Sequence, residues 1–139
     1  MVTGSAHDFT LQWAAPELLA GQNVQSLQAC DVYSFGVLAY EVFALRIPFD
    51  FALPVTLYHS VGVAGLRLQM RPTEPPQLDS RAMICSSTSE VDALVSDCFL
   101  APAERPTFDA LTQRLRRLEE TEQQRLLYPV GPASVFPAA

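Results

Sequence analysis

At 139 residues, with 49% apolar and 17% charged side chains, the chain has the size and composition of one globular domain. Its net charge of −6 excludes nucleic acid and acidic membrane surfaces as partners, because both need a basic footprint. No apolar run approaches the roughly 18–20 residues of a membrane span, the N-terminus MVTGSAHDF has no signal-peptide pattern, and the three cysteines (Cys30, Cys85, Cys98) form no CxxC pair, so a cytoplasmic protein with buried thiols and no metal site is expected.

In chain order, residues 1–13 read as a loop. Ala15 to Gly21, APELLAG, reads as a short helix, with Pro16 in the first turn and Gly21 as a left-handed stop. A long helix follows, capped by Ser26 or starting nearer Asp31, where a carboxylate suits the positive helix end. Its apolar residues at 32, 33, 35, 37, 38, 40, 42, 43, 45 and 47 cover every face, the mark of a rod with protein all round it. Pro48 is its expected end.

Phe51 to Val61 reads as a weaker helix with Asp50 as candidate cap, and Gly62 to Ser86 as irregular, with RPTEPP (Arg71 to Pro76) an extended connector. Ser87 and Glu90 form a capping-box pattern before a helix whose apolar stripe is 91, 94, 95, 98 and 99. Thr107 caps a last helix, with Phe108, Leu111, Leu115 and Leu118 inward and a charged, solvated face from Asp109 through Glu122. The tail from Pro129 is rich in proline and alanine and is expected to be disordered. About five helices with no strand pattern make the domain all-α.

Five short motifs add a resemblance. TLQWAAPELL (Thr10 to Leu19) resembles the end of a protein-kinase activation segment with its APE motif. DVYSFGV (Asp31 to Val37) resembles the buried kinase helix that follows. Pro48-Phe49 and Arg71-Pro72 stand at the family's usual places, and CFLAPAERPTF (Cys98 to Phe108) resembles its CW…P..RP(S/T)F signature. Together, over about residues 9–118, they identify residues 1–128 as part of a protein kinase domain, most like the tyrosine-kinase-like group of serine/threonine kinases. Phe9 stands where a glycine is usual, and Phe99 replaces the commoner tryptophan.

The resemblance implies roles for particular residues. Glu17 of the APE motif would pair with Arg105 of the late RP motif and tie the substrate-side loop to the last helices. Thr10 and Trp13 would belong to the substrate-binding pocket, and Asp31 would hold the backbone of the catalytic loop. It implies an incomplete helical C-terminal lobe, without the N-terminal β lobe and the catalytic loop. The family binds ATP and Mg through a Gly-rich loop, a strand lysine, an HRD-type loop and a DFG aspartate, all upstream of the APE motif. Only 14 residues precede Ala15, and the chain has no lysine. HDFT (His7 to Thr10) echoes HRD and DFG but has no glycine and lies too close to APE.

The expectation is therefore a chain that carries no catalytic residue or cofactor site of its own, whose partners are a protein substrate and the missing half of the domain. A contiguous apolar patch should be exposed where that half would sit. The alternative is a non-catalytic pseudokinase remnant acting as a protein-interaction module.

Overall fold

The computed structural model describes residues 11–50, 52–70 and 88–127. Every regular element among them is helical: a 3-10 turn at Leu11–Trp13, then α1 (Pro16–Leu19), α2 (Leu27–Ala44), α3 (Pro54–Leu57) running into a π-helix at Tyr58–Val63, α4 (Ser89–Cys98) and α5 (Phe108–Leu127). The all-α expectation agrees with this. The connector RPTEPP and the tail from Pro129 lie outside the described residues.

α2 is the axis of the fold. Ser26 begins it by accepting a hydrogen bond from the Ala29 amide at 3.2 Å, so Asp31 lies within the helix as its fifth residue and is not the cap. The helix stops at Ala44, earlier than Pro48, because Leu45 turns left-handed (φ 52°) without a glycine to do it. Ala29, Cys30, Val32, Tyr33, Gly36, Val37, Ala39, Tyr40 and Ala44 are buried along it. All of these but Ala29 and Gly36 form one core with Ala15, Leu57, Val61, Val91, Leu94, Val95, Cys98, Phe99 and Leu111.

Gly36 sets the closest crossing of α2 and α4. A Cβ at this position would lie 2.5 Å from Cys98 Cβ and 3.0 Å from a ring carbon of Phe99, so only glycine lets the two helices meet there.

Two helix starts differ in detail from expectation and a third agrees with it. Asp50 is not the cap of α3, which begins at Pro54, whose missing amide hydrogen suits the first turn, with Leu53 at the N-cap position. α4 is capped one residue later than the Ser87 pattern implies, by Thr88 accepting from the Val91 amide at 3.4 Å. Thr107 does cap α5, accepting from Ala110 at 3.2 Å. Within α5 Leu111 is buried and Leu115 and Leu118 pack against the core, whereas Phe108 is 44% exposed and meets Phe35 edge-on at 6.2 Å between centroids.

Candidate functional site

The site grows from two charged groups in otherwise apolar surroundings. α1 follows the 3-10 turn and presents Glu17 in its first turn; Glu17 and Arg105 are the buried charged residues among those described. Arg105 sits in the turn between α4 and α5, in a residue order that prevents helix continuation, APAERPT. The two meet across 88 residues of sequence in a bidentate pair, Nη1 to Oε1 at 2.6 Å and Nη2 to Oε2 at 3.0 Å. The guanidinium fork also donates from Nη1 to the Ala29 carbonyl of α2 at 2.8 Å and from Nε to the Leu100 carbonyl at 2.9 Å. One planar cation thereby ties α1, the first turn of α2 and the end of α4 together, a set of angles that a lysine ammonium cannot meet.

Two further side chains complete the cluster; one of them, Tyr33, stands inside the DVYSFGV motif, but the motif does not signal this contact. The Cys30 thiol donates to Glu17 Oε1 at 3.3 Å. Burial, and then the neighbouring Glu17 carboxylate, push this thiol up to about 12, so it is a structural donor and not a nucleophile. Tyr33, fully buried, lies under both the Arg105 and Arg67 guanidiniums, whose central carbons are 5.2 and 5.7 Å from its ring centroid. Its hydroxyl has no hydrogen-bond partner among the described residues. Burial raises Tyr33 to about 12, although the two arginines pull it down.

The remaining residues singled out in the sequence do not join this cluster. Trp13 ends the 3-10 turn and packs half-buried against the core. Thr10 lies outside the described residues. Asp31 is exposed on α2. At 3.6 residues per turn, Asp31 shares a sector of about 60° with Leu27, Leu38 and Val42. These three apolar neighbours are 65%, 49% and 57% exposed, and Leu45 and Ile47 just beyond the helix are 64% and 57% exposed. The rod is therefore buried along about half of its circumference and open along this sector.

Among the described residues no group of three or more His, Cys, Asp or Glu side chains could hold a metal ion, and no helix is long and apolar enough to cross a membrane.

Residues 1–115 match the family of protein tyrosine and serine/threonine kinases. A probable serine/threonine-protein kinase of Arabidopsis thaliana, SIS8, is 30% identical over 130 residues, covering 92% of this chain and 11% of that protein. The probable serine/threonine-protein kinase kinX of Dictyostelium discoideum is 26% identical over 122 residues, covering 86% of this chain and 10% of its own length. A receptor-type guanylate cyclase of Drosophila melanogaster, Gyc76C, is 29% identical over 121 residues, covering 83% of this chain and 8% of that protein. The chain thus spans about a tenth of the length of the relatives it matches.

Proposed function

Because the chain belongs to the protein tyrosine and serine/threonine kinase family, we propose that it is the C-terminal part of a serine/threonine kinase domain. In its intact form that domain moves the terminal phosphate of ATP, with Mg, to a hydroxyl of a protein substrate. In this reading residues 1–128 are the domain part. Thr10 and Trp13 face the protein substrate, the Glu17–Arg105 pair fixes that segment to the helices below it, and Asp31 anchors the catalytic loop.

The observation that carries the reading is the open side of α2. A helix that buries one half of its circumference in the core and leaves Leu27, Leu38 and Val42 exposed beside a carboxylate on the other fits an interior element lacking a neighbour. A backbone loop with free amides, seated on that stripe, would satisfy Asp31 and cover the leucines at once. Phosphoryl transfer needs metal ligands, a phosphate-gripping cation and a base near the acceptor. The chain has no lysine to supply the phosphate-gripping cation, so in this reading it contributes the platform. Cys30 and Cys98 are free and buried, in keeping with a reducing, cytoplasmic compartment.

The coding DNA upstream of Met1 tests this. In-frame HRD and DFG motifs are expected; their absence over a contiguous, spliced kilobase would overturn it. Calorimetric titration of the 139-residue chain with Mg-ATP is expected to give no saturable binding, and saturation would show that the chain holds a nucleotide site after all.

A second reading is a pseudokinase remnant that serves as an interaction module. It is favoured by the match to a protein named for a different activity, the receptor-type guanylate cyclase. It requires that the chain alone be soluble and melt sharply by circular dichroism; an aggregated or molten product would count against it.

A further inference from the structure

α1 is held on one side by the Glu17–Arg105 pair. On its other side it rests on the π-helix. Gly62 lies so close that a Cβ there would be 3.3 Å from the Ala20 amide nitrogen, 3.4 Å from Leu19 Cβ and 3.5 Å from the Pro16 carbonyl oxygen. A π-helix is wider and less favourable than an α-helix and persists where its surroundings fix it. Here the fixing group is Arg67. Its Nη1 donates to the Val61 carbonyl, inside the π-helix, at 3.1 Å and to the Leu66 carbonyl at 2.8 Å. Its Nε donates to the Phe99 carbonyl at the end of α4 at 3.4 Å, and its guanidinium lies over Tyr33 of α2.

We propose that Arg67 is a second positioning residue for the substrate-side segment, setting the height of α1 through the π-helix and Gly62, separately from Glu17–Arg105. That α1 faces substrate rests on the function proposed above; that Arg67 fixes α1 does not. The two arginines work in parallel. Arg105 grips α1 by its carboxylate, and Arg67 fixes the floor on which α1 lies, with Tyr33 beneath both cations. A lysine at position 67 has no planar fork with which to reach three carbonyls on two elements.

Hydrogen exchange of the 139-residue chain tests the proposal. The reporting amides are Leu18 and Leu19, which donate to the Ala15 carbonyl, and Ala20, which donates to that of Pro16. In Arg67→Ala and in Arg67→Lys these three are expected to exchange about tenfold faster, while Leu94 and Leu111 keep their wild-type rates. Gly62→Ala leaves Arg67 in place but presses a methyl against the Ala20 amide, and is expected to speed the same three amides.

Unchanged α1 amides in these variants, or equal acceleration throughout the molecule, would overturn the proposal, since Arg67 would then be a local or a global prop. Should Arg67→Ala fail to fold, Arg67→Lys and Gly62→Ala decide. No arm involves phosphate transfer, so failure here leaves the kinase reading intact, and failure of the upstream-DNA test leaves this one intact.

Discussion

Glu17 is a buried carboxylate whose charge survives burial. Desolvation alone would raise it, but the Arg105 hydrogen bonds and charge outweigh that and hold it below its ordinary 4.5. A folded value below the unfolded one adds stability that is fully present above about pH 4.5 and is lost as pH falls through the folded value. The melting temperature is therefore expected to be level from neutrality to about pH 5 and to fall below that, with a shallower fall in Glu17→Gln. Equal acid slopes in the two proteins would show that Glu17 carries no such charge.

Removing either partner strands the other. Glu17→Leu or Arg105→Leu is expected to cost about 3–5 kcal/mol in urea unfolding. Reversing both charges together should recover part of the loss, while independent near-zero effects would mean that the pair is not coupled. The alkaline side mirrors this. Burial raises Cys30 from 9.0 to about 12, so its contribution is present below pH 9 and is lost as pH climbs toward 12.

Tyr33 gives the opposite sign. Its buried hydroxyl has no partner among the described residues, so Tyr33→Phe removes a desolvated polar group and keeps the ring under both guanidiniums. The variant is expected to match the wild-type unfolding free energy in urea or to exceed it by roughly 1 kcal/mol. A clear loss would mean that the hydroxyl is bonded in solution.

At this scale the sequence announced the charged pair, because an APE glutamate and an RP arginine are a recognisable couple. It could not announce Cys30, Tyr33 or Arg67. Hydrogen bonds to backbone carbonyls and cation–aromatic stacking leave no spacing pattern, and any arginine near any carbonyl reads alike.

Among the elements, α2 and α5 were legible where a side chain does the work of starting them, Ser26 and Thr107 each accepting from the amide three residues on. Misplaced ends arise where other forces act. Pro54 starts α3 by geometry and not by capping, and Leu45 ends α2 in a conformation that glycine usually supplies. The π-turn at Tyr58–Val63 had no sequence signal either, since an inserted residue looks like any helical residue until its neighbours fix it. Gly36 shows an element-scale constraint that can be tested. Gly36→Ala would ordinarily gain helix propensity, but its methyl meets Cys98 Cβ at 2.5 Å. The clash is expected to win, with a net loss of about 1–3 kcal/mol by chemical denaturation and no compensation from propensity. A stabilised variant would show that α2 and α4 can part without cost.

Across the whole molecule the governing feature is the contrast between a core drawn from every helix and one uncovered side of α2. The periodicity of the sequence already required protein on all faces of the rod, and it also limited what a 139-residue chain could cover. What it could not give was which face stays open; that depends on α4 and the 3-10 turn at Leu11–Trp13 claiming the other sides first. Leu38 and Val42, one turn apart and 49% and 57% exposed, are the centre of the uncovered stripe. Their burial contributes little to this chain's own stability, but their exposure makes the surface adhesive. The double variant Leu38→Glu, Val42→Lys is expected to keep the unfolding free energy in urea within about 0.5 kcal/mol of wild type. It should also lower dye binding by exposed apolar surface and reduce aggregation on concentration. If the chain is part of the kinase domain proposed above, the same pair is expected to be strongly destabilising in that whole domain, because there the stripe would be interior and two buried charges would have no water. If the variant unfolds the short chain as readily as the long one, the stripe is already part of a packed core and the platform reading of α2 fails.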